Sequence, residues 1–369
     1  MNTEILHILR DDAVGLLRQL IAIPSLSKEE IHTADCIQNY LHKKKIAIHR
    51  TANNVWCSNK YFDAAKPTIL LNSHHDTVAP NSGYTKDPFS PEITDGKLYG
   101  LGSTDAGASL ACLLSVFIVF YEKQQLQYNI VFAATAEEEI SGQNGIESLF
   151  ALPQFKNCFA HPKSFAIVGE PTGMNLAIAE KGLLVLDCVA HGKAGHAARE
   201  EGENAIYKAL TDINWFKNYH FDKVSPLLGE VKMNVTTIDT DNRAHNVIPA
   251  QCHFVVDIRI TEMYTHEEVL QKIKDNVACE IVPRSMRLRQ SSIDMQHPVV
   301  QAGLKLGRET FGSPTLSDQA LIPLPSLKCG PGNSAQSHTA DEYILLTDIE
   351  EGIEFYVELI TEINLNKNG

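Results

Sequence analysis

The sequence predicts an α/β protein with a smaller α+β unit of ferredoxin-like type set into it. Short unbroken apolar runs at 68–72, 129–134 and 165–168 have the pattern of strands buried on both faces of an α/β sheet. After Lys181 the texture changes to strand, helix, strand, strand, helix and strand, over 183–190, 204–216, 233–238, 252–260, 266–277 and 280–288. Helical patterns then resume at 297–311 and 349–360, on either side of the Gly330-Pro331-Gly332 turn, so the end of the chain rejoins the first unit. The expected division is 1–180 with 292–369, interrupted by 181–291. A chain of 369 residues has room for this, since one core seldom grows past about 250–300 residues.

Ser27 followed by Glu30 has the form of a capping box. Ile31, Ala34, Ile37 and Leu41 keep helical spacing behind it, and Lys43, Lys44 and Lys45 suit the negative end of a helix. Residues 106–121 carry no charge and are mostly apolar. They fall short of the roughly 18–20 apolar residues of a membrane span, so a buried helix between two sheet strands is expected. The sequence contains no internal repeat and no low-complexity linker.

The composition, 44% apolar and 21% charged, is that of a folded chain. A formal charge of −13 argues against a nucleic-acid surface or an anionic membrane, both of which require clustered Lys and Arg. Part of that charge is free to serve as metal ligands. Eight cysteines without paired spacing read as reduced core residues. The first residues lack a basic stretch followed by an apolar run, so a cytoplasmic setting is expected.

Histidines and acids recur just after expected strands, where open α/β sheets place their ligand sites. His74 and Asp76, two apart in an extended stretch, point to the same side, so His74 can bind a metal while Asp76 orients it. A plain hydrogen-bonded loop is the alternative. Asp105, among small residues at a helix start, reads alone as a cap. Glu137-Glu138-Glu139 closes an apolar strand, and three adjacent carboxylates there repel one another unless cations or solvent offset them. Glu139 then suits a ligand, leaving Glu138 to take a proton from activated water. Glu170, held extended by Pro171, ends another strand, and His338 sits in a loop near the C-terminus. Two histidines with several carboxylates form a mixed nitrogen and oxygen set suited to Zn, Mn or Co.

These motifs, in this order and with Asp87-Pro88-Phe89 and Leu98-Tyr99-Gly100 leading into Asp105, resemble the M20 family of metallopeptidases and deacylases over nearly the whole chain. The resemblance implies a di-zinc aminopeptidase-like catalytic domain with an inserted lid that also forms a homodimer. It implies that His74 and Glu170 hold one Zn2+, that Glu139 and His338 hold the other, and that Asp105 bridges them, with Co2+ or Mn2+ as substitutes. Asp76 would orient His74 and Glu138 would be the general base. In the lid, His196 in Gly192-Lys193-Ala194-Gly195-His196 would reach across the dimer to the oxyanion. Asn246 and Arg259 would contact substrate, Arg259 through its α-carboxylate. Bland readings are a turn residue for Asn246 and a strand-surface charge for Arg259.

The implied activity is hydrolysis of the amide of a small N-acyl amino acid, with acetylornithine deacetylase of arginine biosynthesis as the nearest type. Alternatives are an N-acetyl- or N-succinyl-citrulline or ornithine deacylase, succinyl-diaminopimelate desuccinylase and a dipeptidase. An inactive scaffold of the same fold would need neither all five ligands nor Glu138 and Asp76 beside them. Two places depart from the family pattern: Ala106-Gly107-Ala108-Ser109 stands where many members have Lys, and His75 where Thr is frequent. Arg199, near His196 in sequence, would suit an acidic acyl group in place of acetyl.

Overall fold

The computed structural model describes residues 2–199 and 201–365. The chain divides into two compact units. One comprises the chain up to Ile178, Ser292–Phe311 and the segment from Ser317 onward, and the other Ala179–Ser291 with Gly312–Leu316.

In the first unit the sheet runs in the order His49–Thr51, Asn54–Ser58, Asn129–Thr135, Thr68–His74, Phe165–Val168, Ser326–Lys328, Leu176–Glu180. Its middle strands are parallel, with Asn72 opposite both Ala133 and Val168 and His74 opposite Thr135. Alternation along each strand serves two cores. Ile69, Leu71, Ile130, Phe132 and Ile167 face a layer that includes helices Thr3–Ile21, Ala108–Tyr121 and Leu346–Leu365. Leu70, Val131, Ala133, Ala166 and Val168 face Ile146, Leu149, Phe155 and Phe159 on the other side. Two covered faces explain why these strands read as continuous apolar runs.

Among the described residues, Ser103–Tyr121 is long and apolar enough to cross a membrane, but 83% of that stretch is buried inside the protein. It is the core helix expected between the strands. Phe117, fully buried, lies with its ring centroid 6.0 Å from that of Phe132 on the sheet.

The second unit is a four-stranded antiparallel sheet in the order Lys232–Thr240, Gln251–Ile260, Gly182–His191, Glu280–Pro283. With helices Ala205–Asn218 and His266–Lys274 in the chain, this is the ferredoxin-like order of elements. Ala205, Ala209, Phe216, Val269 and Ile273 from the helices share a core with Leu184, Leu186, Phe254, Val256 and Ile258. Asn204 caps the first helix through Ile206 N–H, and Thr265 with Glu268 forms a capping box on the second.

Three local expectations differ from the structure. Ser27 and Glu30 form no capping box: the helix is Ile31–Lys43, no side chain caps it, and both side chains are engaged elsewhere. The helix expected over 297–311 is Pro298–Lys305, ended by Gly307 at φ +83° with Gly307 N–H and Arg308 N–H bonded back to Leu304 and Gly303. Thr310–Ser313 is then a strand. The strand expected over 280–288 stops at Pro283, whose missing N–H fits the end of a ladder.

Replacing Phe117 by Ala removes a ring from the interface between helix and sheet. The expected cost is about 3–5 kcal/mol, read as a lower midpoint of urea unfolding followed by circular dichroism.

Candidate metal centre

The parallel strands of the first unit deliver their ends to one edge. His74 is the last residue of its strand, Glu137 to Glu139 follow Thr135, and Glu170 lies two residues past Val168. Asp105 comes from the turn before helix Ala108–Tyr121, and His338 from the loop before strand Tyr343–Leu345.

Two groups of donors result, His74 with Asp105 and Glu170, and Asp105 with Glu139 and His338; the ligand atoms within each group all lie within 4.8 Å of one another. Asp105 belongs to both and divides its oxygens between them. Its Oδ1 is 3.2 Å from His74 Nε2, and its Oδ2 is 3.6 Å from His338 Nε2. Glu170 Oε1 is 3.8 Å from His74 Nε2, and Glu139 Oε2 is 3.0 Å from His338 Nε2. Glu138 joins neither group, although its Oε2 is 3.8 Å from His74 Nε2.

Burial and like charge dominate the electrostatics. Burial drives the Glu138 carboxyl well above the usual range; His74 opposes this, and Glu170, Asp318 and Glu139 add to it. Burial, then the charge of Asp105, pushes Glu170 up to about 8. Glu139 is raised by burial as well. Burial also acts to raise Asp105, but the hydrogen bond and charge of His74 outweigh it and hold Asp105 below the usual range. Two imidazole nitrogens among carboxylate oxygens that resist being ionised together form a donor set that fits divalent cations.

The nitrogen that His74 offers is decided by its other one. Nδ1–H donates to the Asp76 main-chain carbonyl at 3.0 Å, leaving the Nε2 lone pair toward the donors. The Asp76 carboxylate is farther from Nδ1, at 3.5 Å. That carboxylate accepts Glu138 N–H at 3.0 Å, Glu139 N–H at 3.2 Å and the Ser27 hydroxyl at 2.7 Å.

The sequence profile of peptidase family M20/M25/M40 matches residues 70–362. The chain belongs to this family. Succinyl-diaminopimelate desuccinylase of Wolbachia pipientis wMel is 26% identical over 95% of this chain and 92% of its own length. Among solved structures, the aminopeptidase PepT of Bacillus cereus superposes with TM-score 0.77 at 19% identity, covering 96% of this chain and 98% of that one. The YXEP protein of Bacillus subtilis, described as a dinuclear metal-binding peptidase of the M20 family, superposes with TM-score 0.72 at 16% identity over 97% and 99%. As an M20 protein the chain is a metal-dependent hydrolase acting on amide bonds.

The other residues singled out from sequence lie in the second unit. His196 is opposite Val247 in a short antiparallel ribbon, and Ala197 N–H bonds to Asn246 O at 2.9 Å, so His196 and Asn246 come together. His196 Nδ1 accepts Ala198 N–H at 3.1 Å, which leaves the ring proton on Nε2. Arg259 is not brought to that ribbon. It lies near the far end of the strand that begins at Gln251, eight residues on, roughly 26 Å at the usual rise. Its Nε and Nη2 hold Asp257 at 2.8 and 3.1 Å.

Sequence reasoning missed three acids around this M20 centre. Glu342, 1% exposed, accepts the N–H groups of Gly102, Thr104 and Asp105 at 2.9, 2.7 and 2.9 Å. Glu30, fully buried, accepts Glu137 N–H at 3.1 Å and the Asn53 amide at 2.8 Å. Asp318, 3% exposed, accepts the Thr135 hydroxyl at 2.7 Å. The only signal for Glu30 was the Ser27-to-Glu30 spacing, which a capping box shares.

His75 is structural. It is buried, its Nε2–H donates to Asn53 O at 3.0 Å, and its Nδ1 accepts the Thr33 hydroxyl at 2.9 Å. Burial lowers it from 6.5 to about 4. Its folded pKa is therefore depressed, so the unfolded chain binds the proton first as pH falls. Stability is lost between about pH 6.5 and pH 4, and near pH 7 the group contributes little. Between pH 7 and pH 5 this one residue accounts for about 2 kcal/mol. Urea midpoints are expected to fall less over that interval in His75→Gln than in the wild type, and equal falls would remove His75 as a cause of acid sensitivity.

Proposed function

We propose that this chain holds two Zn2+ ions and removes the acyl group from an N-acylated amino acid. The observation that carries this reading is the division of Asp105: one oxygen faces His74 and the other His338, and each histidine has a carboxylate of its own beside it. In this reading His74 and Glu170 hold one ion, Glu139 and His338 the other, and Asp105 both, with Co2+ or Mn2+ as substitutes. Bound divalent ions would supply the positive charge that acidifies water and polarises the amide carbonyl.

Glu138 is the general base. It lies beside the donors without belonging to either group, and Asp76 holds its main-chain N–H. Its carboxylate accepts a proton from the attacking water and returns it to the amine nitrogen as the bond from carbonyl carbon to nitrogen breaks. Positive charge in the centre would bring Glu138 down from where burial alone holds it, toward a base that works near neutral pH. Asp76 acts by fixing the turn that carries Glu138 and Glu139, with its carbonyl orienting His74.

His196, Asn246 and Arg259 are the lid residues of this mechanism. His196, protonated on Nε2, suits donation to the oxyanion, Asn246 beside it suits a substrate contact, and Arg259 suits the α-carboxylate. Arg259 is already paired with Asp257 through Nε and Nη2, so a substrate carboxylate would meet the other end of its guanidinium. The distance of roughly 26 Å along the strand between Arg259 and the end near His196 exceeds the length of a small N-acyl amino acid. That supports a homodimer in which the two residues reach one substrate from different protomers. The enzyme is proposed to be cytoplasmic, with no nucleic-acid or membrane partner.

The sequence resemblance puts N-acetylornithine first as substrate. Relatives matching 95% of the chain carry the name succinyl-diaminopimelate desuccinylase, which favours a succinyl amide, as does Arg199 near His196. A panel of N-acetylornithine, N-acetylcitrulline, their N-succinyl counterparts, succinyl-diaminopimelate and a dipeptide, offered to the zinc-loaded protein, separates these readings. Selective turnover of a succinyl compound is the expected result. Turnover of the dipeptide alone would move the protein to the peptidases, and no turnover at full metal occupancy would favour a binding scaffold.

On whichever compound is cleaved, Glu138→Gln is expected to keep both metal equivalents and lose about 10²- to 10⁴-fold in kcat. Near wild-type turnover would take Glu138 out of the role of base.

A further inference from the structure

We infer that Glu342 is the positioning residue that aims Asp105 at both donor groups, an inference that rests on the two-ion reading above. Its carboxylate is not a ligand, since its oxygens face the main chain of the turn that carries Asp105. Oε1 accepts Thr104 N–H and Asp105 N–H, and Oε2 accepts Gly102 N–H. Its own carbonyl accepts Gly100 N–H at 3.0 Å, and the next carbonyl, of Tyr343, accepts the Thr104 hydroxyl at 2.6 Å. The turn from Gly100 to Asp105 is thereby tied to Glu342 and Tyr343 through both side chain and backbone.

Two features make this a device for the metal centre. Glu342 lies four residues after His338, so one short segment carries the histidine of one donor group and the anchor of the acid that both groups share. In addition, the turn passes through Gly102 at φ +73° and directs three N–H groups at one point, which a carboxylate satisfies with two acceptor oxygens. A glutamine offers one acceptor and turns an NH2 toward the remaining donor. The Asp105 backbone would then lose part of what orients it, and the donors facing His338 would be the first to separate, because His338 is itself 53% exposed on a loop whereas His74 is 1% exposed at a strand end.

The test uses the full-length chain, stripped of metal and titrated with Co2+, with ion content measured by elemental analysis, affinity by calorimetry and the visible absorption of the bound cobalt as a reporter of ligand geometry. Circular dichroism verifies folding. Asp341→Asn serves as a control: Asp341 accepts Thr85 and Lys86 N–H and lies beside Glu342 in the chain. Glu342→Gln is expected to weaken the second Co2+ equivalent at least tenfold and alter the two-ion spectrum, while Asp341→Asn leaves both unchanged. If Glu342→Gln does not fold, Glu342→Asp, which keeps the charge on a shorter arm, is measured against the same criterion. Wild-type affinity and spectrum in the folded variant would overturn the inference, as would an equal loss in Asp341→Asn. A wild-type protein that binds fewer than two ions would instead overturn the two-ion reading, and the inference with it.

Discussion

Acids crowded into a low-dielectric edge repel one another, and much of the first unit is arranged around that repulsion. Asp105, Glu138, Glu139 and Glu170 converge with His74 where the parallel strands end, and burial pushes Glu138, Glu139 and Glu170 toward their neutral forms. Such a cluster would relax by swinging its side chains into solvent if its backbone were free to move. It is restrained by other carboxylates whose oxygens are engaged by main-chain N–H groups: Asp76 under Glu138 and Glu139, Glu30 under Glu137, and Glu342 under the Asp105 turn. Hydrogen bonds from main-chain amides to a carboxylate are stronger than those between neutral groups, so each anchor adds rigidity without adding a ligand.

This arrangement explains what could be read from the sequence. The strands at 68–72, 129–134 and 165–168 were legible because burial on both faces leaves an unbroken apolar run, and the histidines and acids at their ends stood out by position. The ferredoxin-like order of the second unit was legible from alternation and helix spacing. The anchors were not. A carboxylate that bonds main-chain N–H groups far away in sequence leaves no spacing to detect, and Glu342, 237 residues from Asp105, has only its nearness to His338 to mark it. Ser27 and Glu30 misled for a related reason. A hydroxyl and a carboxylate three residues apart look alike whether they satisfy a helix end or, as here, Asp76 and the Glu137 turn. The apolar spacing after His297 continues past Lys305, but the helix stops there because Gly307 takes the left-handed region.

The two donor groups are unequal, and the inequality follows from where the chain had rigid backbone to offer. His74 and Glu170 belong to or closely follow central strands, and their side chains are 1% and 14% exposed. His338 comes from a loop, at φ +60°, with half its side chain in solvent. Its partner Glu139 follows Glu137, another residue in the left-handed region at φ +56°. Backbone in that region is uncommon outside glycine and persists where its surroundings enforce it. Here Asn144 and Glu30 brace Glu137, and Asn81 donates to the His338 carbonyl at 3.2 Å. A site built on strand ends is pre-organised before any ion arrives, whereas one built on braced loops depends on its braces. Asp105 couples the two, so the orientation of that one side chain links the rigid half of the centre to the adaptable half.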